Sequence, residues 1–592
     1  MPISRRFLLL AFSFGFLAIV APEIQGQSGV FDRTGIVPGR GAYSSLPEES
    51  VDLFTGNLTL SYRDIFLPGA NGLNIEVWRV YNSKVLYDRP STQQNPTVQA
   101  YPKSMVGIGW TMHLGMVHNA YSSTPVIEFP DGRCEKAFPA IPGYLWGSNY
   151  RITRDFLKYY CKQGEDPKLY FQNGVVWTFG NIATLPLAGG SETVYMVTRI
   201  EDPLGNFIDI EYDVYDAHRS ISKITDGMGR EVRFVKSYQG NDPAKLAEIR
   251  IRNSDDTQDV ICSYSVGSFS NGFYKLESFT PPKLEEEEAA LLPPTTFVYN
   301  DGSDFNYELT GVTTSYGGVL EYSYENHSFH FNTIELISKV VSQKRITFNT
   351  GEQSKAWNYT YPTYQGESTG QTSVVGPEYG VSSTHYGYES VSANRWRIGL
   401  QIACATSDGS SSAATVWTNY QISTTGWTVL GISMGVAKGP LVSSVTESRT
   451  GNSTLKTEYS YERFMLYGLP TKLSFFINGS TSAKSARQLT YFHEDHPLFR
   501  SKYMMTYVSN EKDMTWAGYP LKETAISYFE EDGKWGALKK VQRKNGSEYF
   551  TWDYTYDTVG SDYQTITVDG PGGERYLRDN ISLRSGRKSF RP

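Results

Sequence analysis

One serine lies in a pattern that hydrolases use to present a nucleophile. Residues 431–435 read G-x-S-x-G, with Ser433 at the centre. In hydrolases this pattern holds the serine on a sharp turn between a strand and a helix, where a histidine activates it. Residues 427–430 could form the strand, and His493 follows downstream. Gly-Pro at 439–440 leaves no room for the helix, because proline breaks a helix interior. The sequence therefore argues against a serine hydrolase.

Two H-x-x-H patterns are the next candidates, as possible metal ligands. They consist of His327 with His330, and of His493 with His496. On a helix this spacing places both imidazoles on one face, whereas on a strand it sends them to opposite faces. Both patterns lie in strand-like or loop sequence, so we interpret them as surface histidines. We expect no catalytic, cofactor-binding or metal-ligating residue, and no cofactor.

The four cysteines form no C-x-x-C pair. They are Cys134, Cys161, Cys262 and Cys404. Four cysteines allow three connectivities, and the sequence does not choose between them. A bridge between Cys134 and Cys161 would close the shortest loop, and buried free cysteines in strands are the alternative.

Two turn signals in one cassette indicate a repeated strand-turn-strand unit. The first is D-P-L-G-N at 202–206 and the second is D-G-M-G-R at 226–230; Gly205 and Gly229 lie 24 positions apart. Each turn is followed by an alternation of apolar and polar residues that is typical of a strand. Glycine supplies the positive φ that such turns need, so we expect positive φ at both glycines.

The cassette, with Tyr212-Asp213 between its turns, resembles the YD repeat of RHS proteins. An upstream block strengthens the resemblance, since it is similar to the segment that opens many bacterial RHS chains. This block consists of V-D-L-F-T-G-N-L at 51–58, L-P-G at 67–69, R-V-Y-N-S at 79–83 and G-I-G-W-T at 107–111.

The resemblance implies a sheet wound into a hollow spiral shell, of which this chain would be the N-terminal portion. In the family such shells serve toxin delivery, competition between bacteria or adhesion. Some members carry D-P-x-G at the end of the core, where an aspartate supports self-cleavage. Here the motif lies mid-chain, so we interpret Asp202 as a turn residue without a catalytic role.

Composition independently favours an all-β protein. Aromatic residues make up 14% of the chain, and 42 tyrosines accompany 54 glycines and 28 prolines. Strands favour aromatic residues, and glycine and proline favour turns. We predict an elongated, repetitive antiparallel sheet of stacked hairpins. The net charge is −7 and the pI about 5.8, which argues against a nucleic-acid partner.

Pairs of tyrosines recur at Tyr-x-Tyr spacing. Alternate residues of a strand share one face, so each pair places two rings on one side of a sheet. We expect these rings to form a stabilising ladder, and an exposed surface for stacking sugars is the alternative. The pairs are Tyr322/Tyr324, Tyr359/Tyr361, Tyr386/Tyr388, Tyr459/Tyr461 and Tyr554/Tyr556.

The chain is expected to divide into six segments. Arg5 and Arg6 precede an uncharged apolar run at 7–21, which predicts an export signal that is too short for a comfortable membrane span. Residues 284–292, between prolines, predict a short helix or an acidic loop. The segments are a signal peptide at 1–26, a leader at 27–50, an N-terminal RHS-like β domain at 51–190, a YD-repeat region at 191–440, degenerate repeats at 441–572 and a basic tail at 573–592.

The function expected from the sequence is structural. An exported, non-enzymatic scaffold would enclose or present a polypeptide, or make contact at the cell surface. The mature protein would have no membrane span. The alternative is a secreted carbohydrate-binding or adhesion module, whose exposed tyrosine and tryptophan rings would stack on sugars.

Overall fold

Strands dominate the protein, as the sequence predicts. The computed structural model describes residues 41–84, 104–139, 148–187, 190–213, 219–238, 244–252, 258–270, 272–281, 293–300, 306–331, 334–348, 353–387, 397–407, 412–422, 428–429, 432–433, 440–461, 467–531, 534–545, 547–559, 563–573 and 575–582. The structure is 61% strand and 3% helix, which confirms the all-β prediction. The expected signal peptide at 1–26 and the segment 284–292 lie outside the described residues.

A small antiparallel sheet comes first in the chain, and we call it the N-terminal sheet. Its strands pair in chain order. Alternate residues of the fourth strand, such as Ile75 and Val77, are buried, so this sheet turns one apolar face toward the rest of the protein. The strands are β1 (Ala42–Tyr43), β2 (Glu49–Asp52), β3 (Leu58–Leu67), β4 (Ile75–Asn82) and β5 (Trp110–Thr111). The first of these strands lies within the segment 27–50 that was expected to be a leader.

The remaining strands, apart from one short hairpin, form a long antiparallel sheet. Its first part consists of β6 (Met116–His118), β7 (Val126–Glu128), β8 (Cys134–Lys136), β9 (Phe138–Pro139), β10 (Tyr150–Ile152), β11 (Lys158–Tyr160), β12 (Lys168–Tyr170), β13 (Val176–Leu187), β14 (Gly190–Glu201), β15 (Phe207–Tyr212), β16 (Ile221–Asp226), β17 (Glu231–Ser237), β18 (Lys245–Arg252), β19 (Gln258–Ser268), β20 (Tyr274–Thr280), β21 (Thr295–Tyr299) and β22 (Leu309–Thr313). From β9 onward each of these strands pairs with the next, and β14 also pairs with β6.

The second part continues the same pattern. It consists of β23 (Val319–Phe331), β24 (Ile334–Thr347), β25 (Lys355–Thr360), β26 (Thr369–Val375), β27 (Gly380–Tyr386), β28 (Gln401–Ser407), β29 (Ser412–Ile422), β32 (Pro440–Arg449), β33 (Leu455–Tyr461), β34 (Pro470–Ile477), β35 (Ser485–Tyr491), β36 (Val508–Thr515), β37 (Pro520–Tyr528), β38 (Leu538–Asn545), β39 (Glu548–Val559), β40 (Tyr563–Asp569) and β41 (Arg575–Ser582), with the separate hairpin β30 (Thr428–Val429) and β31 (Ile432–Ser433) between β29 and β32. One short helix, α1 (Pro497–Ser501), lies between β35 and β36.

The two cassette turns have the same geometry. Asp202 Oδ1 accepts the backbone N–H groups of Leu204 and Asn206, both at 2.9 Å. Asp226 Oδ1 accepts the equivalent N–H groups two and four residues later, at 3.1 and 3.0 Å. Gly205 has φ 86° and Gly229 has φ 77°. The predicted positive φ is confirmed at both positions, and Asp202 organises a turn.

A row of tyrosines fixes the register of the C-terminal strands. Tyr461 donates its hydroxyl hydrogen to the carbonyl of Val442 at 2.8 Å, and Tyr491 donates to Pro470 at 2.8 Å. Tyr528 repeats the bond with Val508 at 3.0 Å. Each of these tyrosines also lies at a β-bulge, where the next strand has one extra residue.

Each tyrosine of this row is linked to the next one through its cross-strand partner. Pro470 is the cross-strand partner of Tyr461, and its carbonyl accepts the next tyrosine, Tyr491. In the same way, Val508 is the cross-strand partner of Tyr491, and its carbonyl accepts the hydroxyl of Tyr528. Each bulge therefore sets the position at which the next strand is fastened, which accounts for the recurrence of tyrosine at these sites.

The Tyr-x-Tyr pairs contribute buried rings, as the ladder interpretation requires. Tyr322, Tyr359 and Tyr361 are 2–5% exposed. Tyr459 and Tyr461 are half-buried, and Tyr388 lies outside the described residues.

The long sheet returns on itself. Asn173, in the β12–β13 turn, forms an isolated antiparallel bridge with Met504. The backbone N–H of Met505 donates to the carbonyl of Gln172 at 2.7 Å, and the hydroxyl of Tyr503 donates to the carbonyl of Phe156. These contacts join the turns between β10 and β11 and between β12 and β13, at one rim of the sheet, to the loop between β35 and β36. That loop lies at the opposite rim, about twenty strands later in the sheet. We call this rim-to-rim contact the seam.

Candidate functional site: one face of the long sheet

One face of the long sheet packs against the N-terminal sheet. We call it the inner face and define it by Lys344, Trp357, Tyr359 and Val374, together with the residues in register with them. Lys344 pairs with Trp357, and Tyr359 pairs with Val374. Cross-strand partners share a face, so the ladder carries the inner face from strand to strand.

A buried ion pair fastens the N-terminal sheet to this face. Lys344 and Glu49 are 0% and 1% exposed, and the ammonium contacts the carboxylate. The same ammonium donates to the hydroxyl of Ser45. Burial raises the pKa of Glu49, although Lys344 opposes the rise. Burial likewise lowers the pKa of Lys344. Each charge is therefore costly in the interior without its partner.

A second buried charge pair lies deeper in the same interface. Arg79 is 1% exposed and donates from Nε and Nη2 to the carboxylate of Asp64, at 2.9 and 3.1 Å. Tyr264, on the long sheet, donates its hydroxyl to the same carboxylate at 2.8 Å. Rings of Trp110 and Phe279 lie 5.0 and 4.5 Å from the guanidinium. The N-terminal sheet therefore buries its charged groups in pairs that the long sheet helps to complete.

The contacts of the N-terminal sheet show that the inner face is concave. At one end, Asn71 donates to Asp202, in the β14–β15 turn, at 3.0 Å. At the other end, Gly41 lies against Gln401 in β28. Strands β15 to β28 would span about 65 Å if flat, whereas five strands span about 24 Å. The long sheet must curve around the N-terminal sheet for both contacts to exist.

The inner face continues beyond the part that the N-terminal sheet covers. Register places Val445, Thr457 and Phe475 in one row, because each pairs with the next. All three side chains are half-buried, in contrast with the fully buried rings under the N-terminal sheet. Further inner-face positions of this half are Leu455, Tyr459, Leu473, Ile477, Leu489, Ile526, Val541, Phe550, Trp552 and Tyr554. We call this surface, from β32 to β39, the open half.

The opposite face of the same strands is polar. It carries ion pairs that link neighbouring residues and strands, such as Lys512 Nζ with Glu523 Oε1 at 3.1 Å and Lys540 Nζ with Asp553 Oδ1 at 3.5 Å. The C-terminal strands are thus amphipathic, and their apolar side is the inner face. One polar band crosses the open half, where Arg487 donates to Asp513 at 2.9 Å.

Around Ser433 the structure describes only a short hairpin. Ser433 ends a two-residue strand that pairs with Thr428–Val429. The residues that follow, 434–439, lie outside the described residues. His493 is held elsewhere: it lies 6% exposed beside the seam, with Nδ1 3.0 Å from the carbonyl of Met505.

The histidine predictions need one correction. The prediction of surface histidines is wrong for His493, because Tyr467 and Tyr491 pack against its ring. Burial lowers the pKa of His493. His496 stacks on Phe492, while His327 and His330 lie half-buried in β23. Among the described residues, no group of three metal-ligating side chains could hold an ion.

All four cysteines are free thiols. Cys262 is one example: its thiol is buried and contacts the carbonyl of Asp64. Burial raises the pKa of Cys262 to about 12, which removes thiolate reactivity at neutral pH. In the part of the chain that the structure describes, no helix is long and apolar enough to cross a membrane.

Comparisons with known proteins give no family. No family model matches the sequence, and no curated protein matches it. Among solved structures, the chain is similar to a TcdB2-TccC3-Cdc42 crystal structure, with 10% identity, a TM-score of 0.28, and coverage of 89% of this chain and 43% of that one.

Two other solved structures also show similarity to this chain. The Photorhabdus luminescens Tc holotoxin pore has 9% identity, a TM-score of 0.29, and coverage of 91% of this chain and 42% of that one. A porin-like protein from Bacteroides uniformis has 11% identity and a TM-score of 0.16, and covers 49% of this chain and 89% of its own. The chain spans less than half the length of the toxin-complex chains. At these scores the likeness carries no argument about function.

Sequence reasoning missed the role of the N-terminal sheet. It predicted a β domain at 51–190 but not that the first strands of this segment pack inside the long sheet. A signal was present at Arg79, a charged residue within the apolar alternation of β4. A buried arginine requires a buried carboxylate, and the sequence does not indicate which one.

Proposed function

We propose that this chain is a non-enzymatic scaffold of the RHS/YD-repeat type whose inner face encloses or presents a polypeptide. Toxin delivery, competition between cells and adhesion are the roles to which such a scaffold is suited. The chain would be the N-terminal portion of a larger shell.

One observation supports the proposal above the others. The inner face already holds one polypeptide layer, the N-terminal sheet, and the same face continues into the open half, where no described residues form a second layer over it. Its aromatic and aliphatic side chains, including Phe475 and Trp552, are only half-buried. Half-exposed apolar side chains that share one face favour a binding site for another polypeptide.

The chemistry of the open half favours an apolar partner with few fixed charges. Leu455 and Ile477 pair at its edge and are 50% and 39% exposed. In the polar band, Arg487 already contacts both Asp513 and Glu511. An unfolded or loosely packed polypeptide would bury this surface without needing a precisely matched charge.

Two adjacent phenylalanines provide a matched test. Phe475 pairs with Thr457 on the inner face, whereas Phe476 pairs with Lys456 on the polar face. Both are half-buried. We would measure binding of fluorescein-labelled, reduced and carboxymethylated α-lactalbumin by anisotropy. Phe475→Asp should weaken binding at least tenfold, or about 1.4 kcal/mol, because a carboxylate would be buried against the polypeptide.

Phe476→Asp is the control and should leave the affinity unchanged. Absence of saturable binding to the wild-type protein would contradict the proposal. Equal losses in the two variants would contradict the assignment of the inner face.

Export is the second part of the proposal. It rests on the apolar run at 7–21 that follows Arg5 and Arg6. The mature N-terminus, determined by mass spectrometry of protein recovered outside the cell, should begin between residues 22 and 28. Recovery of the protein only in the cytoplasm with its N-terminus intact would exclude export.

A carbohydrate-binding module is the alternative function. Trp516 and Tyr519 flank one turn at the rim of the open half and are 76% and 71% exposed. Exposed rings of this kind stack on sugars. Glycan binding that is lost in the Trp516→Ala/Tyr519→Ala double variant but retained in Phe475→Asp would favour this alternative over the scaffold.

A further inference from the structure

An apolar cavity lies between the N-terminal sheet and the long sheet, away from the open half. Its volume is about 210 Å³. Engineered apolar cavities of about 150 Å³ stay dry and bind benzene or xenon. The cavity is therefore large enough for a single-ring ligand.

Most of the side chains that line the cavity are apolar, and the polar ones are Asn74, Glu76 and His113. Ile208, Ile221 and Ile224 line it from the long sheet and are 0–3% exposed. Ile75 and Val77 line it from β4 and are 1% and 3% exposed. Water finds no hydrogen-bond partner on these side chains, so an apolar molecule would fill the space better than solvent does.

One buried polar group at the cavity, the imidazole of His113, makes no hydrogen bond through its Nε2. His113 lines the cavity, and its side chain is 7% exposed. Its Nδ1 accepts the backbone N–H of Gly115 at 3.1 Å, so the ring proton resides on Nε2. Nε2 makes no hydrogen bond among the described residues, and the carboxylate oxygen Oε1 of Glu128 lies 3.5 Å from it, at ion-pair distance. A buried donor without an acceptor is a site at which a ligand oxygen gains affinity.

The surroundings of His113 also exclude one class of ligand. Glu128 is buried, and its second carboxylate oxygen lies 2.9 Å from Nε2 of His118. An anionic ligand at Nε2 of His113 would face this carboxylate in a low-dielectric environment, where like charges repel strongly. A metal ion is also disfavoured, because Nε2 of His113 carries the proton and has no lone pair to donate.

We propose that this cavity is a binding site for a small neutral aromatic or aliphatic molecule with one carbonyl oxygen, which accepts the Nε2–H of His113. The apolar part of the ligand packs between β4 and the strands β15 and β16. Because it touches both sheets, the ligand fastens the N-terminal sheet to the long sheet.

Three isosteric probes test the site. Acetophenone carries the ring and the carbonyl, ethylbenzene lacks the acceptor, and benzoate is charged. The thermal unfolding midpoint of the full chain should rise saturably with acetophenone, since a ligand that binds the folded state stabilises it. Ethylbenzene should bind about tenfold more weakly, as expected for the loss of one hydrogen bond. Benzoate should produce no rise.

A variant pair separates the cavity from general solvent effects. Ile208→Trp fills the cavity and should abolish the response to acetophenone. Val260→Trp makes a similar change at an exposed position of β19 and should preserve the response. Equal affinities of acetophenone and ethylbenzene would overturn the role of His113.

If Ile208→Trp does not fold, a crystallographic measurement on the wild-type protein tests the cavity instead. Crystals of the wild-type protein under xenon pressure should show a xenon atom between Ile208 and Val77. Absence of xenon together with absence of a saturable acetophenone response would overturn the proposal, whatever the outcome for the polypeptide-binding face.

Discussion

The buried pair between Glu49 and Lys344 is predicted to be a principal fastening of the N-terminal sheet. Lys344→Met removes the only side-chain cation that Glu49 contacts among the described residues. Both partners are at most 1% exposed, so solvent cannot replace the lost charge. Removing one partner of a buried pair costs about 3–5 kcal/mol. We expect a loss of stability of this size.

The assay is urea unfolding of the full chain, followed by tryptophan fluorescence, with limited proteolysis of residues 41–84 as a second readout. Lys456→Met is the matched control, because Lys456 and Glu458 are 41% and 45% exposed. Exposed pairs contribute about 0–1 kcal/mol. The double variant Glu49→Met/Lys344→Met should recover most of the loss, because it leaves no buried charge.

The loss of unfolding free energy in Lys344→Met should also depend on pH. Burial raises the pKa of Glu49 above its usual value of 4.5, and the loss of Lys344 raises it further. The folded variant then binds a proton more tightly than the unfolded chain does, so its stability rises as the pH falls from 7 toward 4.5. A loss no larger than that of Lys456→Met, or a double variant as unstable as the sum of the single variants, would refute this reasoning.

Three further predictions follow from local geometry. Gly205→Ala and Gly229→Ala should each lower the free energy of unfolding by about 1–3 kcal/mol, whereas Gly380→Ala, at a position without positive φ, should change it little. Tyr461→Phe should lower the free energy of unfolding by about 0.5–1.5 kcal/mol, because the carbonyl of Val442 loses its donor. Tyr549→Phe, at a ring that is 62% exposed, is the control. Equal unfolding midpoints of these two variants in urea would contradict the role of the tyrosine row. Burial lowers the pKa of His493 below its usual value of 6.5. The unfolded chain therefore binds more protons than the folded one, and stability should fall as the pH is lowered through 6.5. The fall should be smaller in His493→Gln, and identical pH profiles of the two proteins would exclude a contribution of His493.

The features that the sequence predicted correctly are local. The turns at Asp202 and Asp226 depend on hydrogen bonds that span two to four residues, so the D-x-x-G spacing contains most of the information. The buried rings of Tyr322 and Tyr359 follow from strand periodicity. The strand content follows from the same signals.

The features that it did not predict are long-range. Glu49 and Lys344 are 295 positions apart, and each reads as an ordinary surface residue of a strand. The strand-like or loop sequence around His493 predicts a surface position, but the return of the sheet at the seam buries its side chain. Packing of this kind depends on curvature, which the pattern of one strand does not contain.

The measurement that tests the central claim most directly is a site-specific photocrosslink. p-Benzoylphenylalanine would be placed at position 475 on the inner face or at position 476 on the polar face, and the protein illuminated with reduced, carboxymethylated α-lactalbumin. The account predicts an adduct from position 475 that an excess of unlabelled unfolded polypeptide suppresses, and no such adduct from position 476. Crosslinking from both positions alike, or only from position 476, would contradict the assignment of the inner face as the polypeptide-binding surface.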